Sequence, residues 1–328
     1  MHTDWLNFLA AQDAHLDADG ALRFADEDLT ALHDAVKCPL THFALLRVSG
    51  ADAEGFLQNL FSNDIREVSA SRAQLSSFNT PKGRMLASLL IWRDGEDYLL
   101  QLPRSLAETL RKKLSMYILR SKVKISDAST EWLLIGVSGG EEVLAARYGQ
   151  LPDSDLGMLN KPDVRLLRCS PQRWQLAVRA EQAADVWQAL PHRAMGTAGW
   201  DWLTIQAGIP VILPATQEAF VPQMVNFEQI GGINFKKGCY PGQEIVARMQ
   251  YLGQAKRRMY RAHLDCAAQP GDELHSAALP GQASGHVVNA APAPQGGYDL
   301  LVVLPISTVT QQVSVHHLKD QGPTLHLS

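Results

Sequence analysis

Apolar residues along this chain switch between a period of two and a period near four, and the switches mark its elements. Residues 43–50 read as a strand that stops at a turn, and 52–59 follows as a short capped helix with Phe56, Leu57 and Leu60 on one side. Strands are expected at 75–79, 85–92 and 98–102, separated by the turn signatures Thr80-Pro81-Lys82-Gly83 and Arg93-Asp94-Gly95. From 105 to 117, Leu106, Leu110, Leu114 and Tyr117 recur at helical spacing. The alternation resumes with strands at 133–137 and 174–178 and helices at 141–148 and 180–190, while Pro152, Gly157, Pro162 and Pro171 mark loops. A helix at 200–208 ends at Gly208-Ile209-Pro210. After Arg261, short β-like runs including 285–288 and 298–304 are divided by Pro- and Gly-containing turns, the pattern of a small all-β unit of barrel type. The order is that of an α+β protein with antiparallel strands rather than a βαβ series.

The first 36 residues carry Asp4, Asp13, Asp17, Asp19, Asp26, Glu27, Asp28 and Asp34 against Arg23 alone, and read as a solvated surface segment broken near Gly20. Basic residues concentrate between Arg104 and Lys124, where Arg111, Lys112 and Lys113 fit the wet face of the 105–117 helix. An acidic ligand tail or RNA phosphates are the other possible partners of that stretch.

At 328 residues, with 46% hydrophobic and 20% charged residues, the chain has core material for two or three compact units. A formal net charge of -4 argues against a protein defined by bulk nucleic-acid affinity. Lys256-Arg257-Arg258 with Tyr251 and Arg261 is a local basic-aromatic patch without a nucleic-acid-binding signature, so direct binding of nucleic acid is not expected. Residues 1–6 lack the basic and long apolar regions of a secretion signal. No run approaches the ~20 apolar residues of a membrane helix. Cys38, Cys169, Cys239 and Cys266 are scattered and form no Cys-x-x-Cys pair, which excludes a zinc ribbon and points to a reduced, cytoplasmic setting. The C-terminal histidines His263, His275, His286, His316, His317 and His326 match no metal-ligand spacing, and no metal site is assigned.

The stretch 236–248 stands apart. It sets Cys239 after Lys236 and Lys237 and before an apparent helix start, with Gly238 and Gly242 on either side. Nearby cations and a helix N-terminus both favour a thiolate, and Lys237 is the candidate for lowering the thiol pKa. Pro241 suits a first helical turn, Gln243 and Glu244 can cap or orient it, and Ile245, Val246 and Met249 form an apolar stripe. Tyr240 can pack the loop or line a ligand opening. Arg248, four residues after Glu244, is placed for an intrahelical ion pair. With no neighbouring cysteine, Cys239 is limited to a mixed disulfide, transient iron ligation or attack on an electrophile.

Residues 207–212, then Phe220-Val221-Pro222-Gln223, Asn226 and Gly231-Gly232-Ile233-Asn234-Phe235 leading into the cysteine stretch, strongly resemble the YgfZ family of folate-binding proteins. Ser49-Gly50-Ala51-Asp52, Phe56-Leu57-Gln58 and Tyr117-Ile118-Leu119-Arg120-Ser121-Lys122-Val123 fit the same family, and the likeness covers most of 40–260. Mitochondrial relatives of that family support iron-sulfur protein maturation, and its fold is similar to the aminomethyltransferase (T-protein) of glycine cleavage. The resemblance implies a ring of interleaved α+β subdomains over 1–254, roughly 1–50 with 126–200 and 51–125 with 201–254. A C-terminal β-barrel at 255–328 would follow, with folate near the central opening.

One departure bears on mechanism. T-proteins carry an acidic residue shortly after the turn corresponding to Lys82-Gly83, whereas this chain reads Arg84-Met85-Leu86-Ala87-Ser88-Leu89. A general acid or base needs a titratable group at the reacting atom, so aminomethyl transfer is not expected. The Gly- and Glu-bearing segment with which T-proteins grip the pterin also has no counterpart around 166–178. By the resemblance, Phe43 stands where the family has a ligand-contacting Trp and Trp200 matches a second, both suited to stacking on a pterin. Lys122 and Arg248 are candidates for the glutamate tail. The expectation is a folate-binding accessory protein, with tetrahydrofolate or a derivative as cofactor. It would support assembly or repair of iron-sulfur clusters in client enzymes and so affect tRNA modification indirectly. Folate and iron-sulfur client or assembly proteins would be its partners, and Cys239 its redox or ligand-transfer thiol. The rival is a tetrahydrofolate-dependent one-carbon transferase acting on a methylamine-type donor.

Overall fold

A computed structural model describes residues 2–18, 20–251, 253, 255–319 and 322–328. The chain divides into two units, one of Met1–Gln58, Ile65–Gln74 and Leu89–Trp200, the other of Asn59–Asp64, Leu75–Ser88 and Asp201–Ser328. The architecture is α+β, and among the described residues no helix is long and apolar enough to cross a membrane.

In the first unit a six-stranded sheet runs in the order Met158–Asn160, Val164–Ser170, Arg173–Arg179, Trp132–Ser138, Val36–Pro39 and Arg193–Ala194, antiparallel except for the last pair. Ile135, Val137, Trp174, Leu176 and Val178 fill its core together with Trp187 of the helix Ala183–Ala189. Trp5 and Leu9, from the helix Thr3–Ala10, join the same core, with Trp5 edge-on to Trp187 at 5.8 Å. The acidic N-terminal segment is therefore only half solvated. Its carboxylates conceal an apolar stripe that supplies core.

The region from 152 to 171, where prolines suggested loops, contains the strands Met158–Asn160 and Val164–Ser170. Pro162 occupies the hairpin turn between them and Pro171 the next one, positions where a missing N–H costs the ladder nothing. The helix expected at 200–208 begins earlier, at Thr197. Tyr117 lies beyond the helix Arg104–Ser115 and is exposed, while Leu106, Leu110 and Leu114 are buried as their spacing predicts.

A second sheet orders the strands Gln74–Asn79, Met85–Asp94, Asp97–Pro103, Phe43–Ser49 and Lys124–Asp127. Within the first unit, Gln101 and Gln175 from the two sheets exchange a reciprocal pair of amide hydrogen bonds at 2.8 and 2.7 Å. Arg47 and Arg165 both donate to Asp94, at 2.9 and 2.8 Å, and the Trp132 indole N–H adds a third bond at 3.0 Å.

The second unit ends in a curled half-barrel of six antiparallel strands, ordered Val315–His317, Glu273–Ser276, Gly285–Pro292, Tyr298–Pro305, Arg257–Leu264 and His326–Leu327. Leu264, Leu274, Val287, Leu300 and Val302 form its interior. The irregular segment after 208 is tied to the strand beginning at Met85. Met85 N–H donates to the Phe220 carbonyl and Glu218 N–H to the Met85 carbonyl, each at 2.8 Å.

Candidate functional site

The cysteine stretch forms a loop held from beneath by a buried polar cluster. Ser62 and Asn63 are almost fully buried, a placement polar side chains tolerate only when hydrogen-bonded. Ser62 Oγ donates to the Gly232 carbonyl at 2.8 Å, and Asn63 Nδ2 donates to the carbonyls of Gly231 and Leu75 at 2.6 and 2.8 Å. A Cβ on Gly232 would overlap the Phe227 ring, so the chain can pass there only as glycine.

Lys237 is the loop's main anchor. Its side chain is buried, and its ammonium donates to the carbonyls of Phe61 and Asn63, the latter at 3.0 Å. The same ammonium lies over the Tyr240 ring at 5.2 Å. Tyr240 is buried too, and burial holds its hydroxyl above the ordinary tyrosine range. Gln243 Nε2 reaches the Lys237 carbonyl at 3.4 Å, and Gln243 N–H donates to the Tyr240 carbonyl at 3.1 Å, which leads the loop into the helix Gln243–Tyr251. Gln223 Nε2 donates to the Val246 carbonyl at 2.7 Å and fixes that helix from the side.

Gly242 has a left-handed φ of 79° and presses on the Thr80–Gly83 turn, where an added side chain would begin 2.5 Å from the Thr80 carbonyl oxygen. Gly238 is exposed, and a Cβ there would meet open space. Of the apolar stripe, Val246 is fully buried, but Ile245 is 39% exposed and shares the outer face with Glu244 and Arg248. Glu244 and Arg248 are not paired among the described residues. Lys236 is exposed, its N–H bonded to Asn234 Oδ1 at 2.8 Å.

Cys239 itself is exposed, between the buried side chains of Lys237 and Tyr240. It stands four residues before the first helical residue, outside the turn where a helix dipole acts most strongly. The result is an outward-facing thiol on a loop whose flanks are immobilised. Sequence reasoning found Cys239, Lys237 and Gly242 but missed Ser62 and Asn63. Nothing in the local pattern distinguishes these two from an ordinary polar turn; only their burial under the loop reveals their role.

The chain is 34% identical to the tRNA-modifying protein YgfZ of Enterobacter sp. (strain 638) over 67% of its own length and 69% of that protein. It is 30% identical to the tRNA-modifying protein YgfZ of Shigella boydii over 88% of its length and 90% of that protein. The chain belongs to the YgfZ family. The family model for the GCVT N-terminal domain matches residues 21–207 of this YgfZ-family chain. The crystal structure of the glycine cleavage aminomethyltransferase T from Bartonella henselae superposes with a TM-score of 0.80 at 15% identity, covering 100% of this chain and 96% of that one, which establishes a shared fold.

Within that fold, the strand Met85–Asp94 of this YgfZ-family member opens without a carboxylate. Arg84 is bound to the Ala219 carbonyl, and Ser88 Oγ accepts the Ile212 N–H at 3.0 Å. The remaining residues suggested by the YgfZ resemblance are dispersed. Phe43 begins its strand and packs against His42, beside a cavity also lined by Leu40, Thr41, Arg104 and Trp132. That cavity is about 20 Å³, room for a water rather than a pterin. Trp200 is 3% exposed, with the Arg173 guanidinium 4.1 Å from its ring centre and Gly136 packed against the ring. Phe43 is thus half-buried and Trp200 almost fully buried. Lys122 is exposed beside Gly50, past the other end of the strand Phe43–Ser49, roughly 20 Å from Phe43 at strand rise.

Several residues of the basic surfaces are bonded within the protein. Arg111 and Lys112 pair with Glu108 at 2.9 and 3.4 Å, and Arg104 donates to the carbonyls of Thr41 and Phe43. Arg258 is bound to Glu228 and to the Gln223 carbonyl, which removes the centre of the basic-aromatic patch.

Proposed function

We propose that this YgfZ-family chain is a folate-binding accessory protein that supports assembly or repair of iron-sulfur clusters in client enzymes, and through such clients affects tRNA modification. The observation that carries the reading is the exposed Cys239 thiol on a loop anchored by Lys237, Tyr240 and Gly242. An outward thiol without a neighbouring cysteine suits transient work on a partner, as a mixed disulfide or a passing metal ligand, better than a resident cluster. The tRNA link is supported by the name of the curated relatives. Folate binding is supported by family membership and by the aminomethyltransferase fold rather than by Phe43 and Trp200, and no step is assigned to it. The missing carboxylate between Arg84 and Leu89 weighs against the one-carbon transferase.

Replacing Cys239 by Ala in cells that depend on this protein should lower iron-sulfur enzyme activity while the purified variant keeps its unfolding midpoint. Unchanged client activity would reject the thiol's role. Binding of reduced folates, measured by calorimetry on the wild type and on Phe43→Ala and Trp200→Ala, tests the cofactor separately. Absence of any affinity in the wild type removes folate from the reading.

A further inference from the structure

The second unit contains another cysteine whose surroundings the reading above does not use. Cys266 follows the strand Arg257–Leu264 and is half-buried against the half-barrel core. Its Sγ lies 3.9 Å from Nδ1 of His317, at the end of the strand Val315–His317. The His317 ring is 3% exposed, and its Nε2 is 2.7 Å from Asp272 Oδ2. Asp272 is itself fixed. The same Oδ2 accepts the Gln269 N–H at 2.8 Å, and the Asp272 carbonyl accepts the Val287 N–H at 2.9 Å.

These contacts assign the imidazole tautomer. A carboxylate at Nε2 requires the proton there, so the neutral ring turns the Nδ1 lone pair toward the thiol. The two ring nitrogens face opposite sides, so thiol, imidazole and carboxylate do not converge on a point where a cation could sit. They are arranged in series as nucleophile, base and orienting group.

We propose that Cys266 is a second reactive thiol, with His317 as its base and Asp272 as a positioning residue, and that it undergoes thiol–disulfide exchange with small disulfides. In this step the Cys266 proton passes to His317 Nδ1 and the thiolate attacks one sulfur of the disulfide. The S–S bond breaks as the new one forms, and the departing thiolate takes the proton back from the imidazolium. One protein thiol and one disulfide yield one mixed disulfide and one thiol, with no further oxidant. The exchange asks of the protein only a nucleophile and a proton carrier, and both are present.

The other titratable groups nearby have their own partners. Asp265, next to Cys266, lies 3.4 Å from His263 Nε2, and Glu273 lies 3.4 Å from His275. His316 directs Nδ1 to the Gly322 carbonyl at 3.0 Å. Asp272 is therefore the carboxylate in contact with the His317 ring.

The test treats the full-length protein with oxidised glutathione from about pH 6 to about pH 9 and follows mixed-disulfide formation at each cysteine by peptide mass spectrometry. Cys239 serves as the reactive reference, and buried Cys38 as the unreactive one. His317→Gln should slow Cys266 about tenfold at neutral pH and leave the Cys239 rate unchanged. Asp272→Asn should move the half-maximal pH of the Cys266 rate upward while the limiting rate at high pH stays unchanged, whereas a thiol buried by altered packing would lose that limiting rate as well. Equal Cys266 rates in wild type and folded His317→Gln would overturn the proposal, as would a wild-type Cys266 that stays unmodified while Cys239 reacts. Should His317→Gln fail to fold, a coincident pH profile in Asp272→Asn overturns it instead.

Discussion

Gly242 and Thr80 meet so closely that a single methyl group cannot come between them: a Cβ on Gly242 would stand 2.5 Å from the Thr80 carbonyl oxygen. The contact couples the Cys239 loop to the turn between two strands, and the backbone at Gly242 is left-handed as well. Gly242→Ala combines steric overlap with φ strain and should destabilise the protein by about 2 kcal/mol or more. Urea unfolding reads the loss, and an unchanged midpoint would mean that the helix start can move away from the turn at little cost.

Lys236 and Lys237 are adjacent in sequence and opposite in role. Lys237→Met strips the Phe61 and Asn63 carbonyls of a buried charged donor and should cost about 2–3 kcal/mol. Lys236→Met removes an exposed charge and should stay within about 0.5 kcal/mol of wild type. Similar losses in both variants would contradict the anchoring role.

Asp94 receives hydrogen bonds from Arg47, Arg165 and Trp132. Burial pushes its pKa up, but the bonds from Arg47, Trp132 and Arg165 outweigh it, and the net shift is downward. A depressed carboxyl stabilises the fold above its unfolded pKa, and that contribution is lost as pH falls through the lower folded value. Asp94→Ala should cost about 3 kcal/mol at neutral pH, because Arg47, Arg165 and Arg179 lose a shared buried partner. It should also show a shallower loss of stability in acid than the wild type; parallel acid curves would argue against the assignment.

Lys37 donates to the carbonyls of Trp187 and Leu190 at 2.8 and 2.7 Å, and burial pushes its ammonium down to about 8. Above that value the unfolded chain holds the proton more tightly than the fold does, so the Lys37 contribution to stability grows with pH up to the ordinary lysine range and fades below about 8. From about pH 8 to about pH 9 the wild type should gain about 1 kcal/mol relative to Lys37→Met. Burial of Cys169, pushed up to about 11, acts the other way in both proteins and cancels in the comparison. A constant difference across the window would refute the shift.

Much of the fold was legible in the chain. Strands such as Trp132–Ser138 and Arg173–Arg179 follow from short, mainly apolar runs that are buried on both faces, and the helix Glu141–Tyr148 from a pattern that buries only Leu144 and Tyr148. The strand Val164–Ser170 was hidden by flanking prolines, and the helix Thr3–Ala10 by its acidic surroundings, since a short apolar stripe is outvoted by the charge around it. In the candidate site, Cys239 and its glycines announced themselves through spacing, whereas Ser62 and Asn63 did not.

By itself the sequence determined an α+β chain of the YgfZ family with a thiol set in a glycine-bracketed, lysine-preceded loop. Tertiary structure decided what each neighbour does there. A lysine beside a cysteine can face the thiol or the interior, and burial of the Phe61 and Asn63 carbonyls draws Lys237 inward. Tertiary structure also brought Cys266 to His317 across 51 residues of chain, a proximity no local pattern encodes because it depends on how distant strands of the half-barrel close on one another.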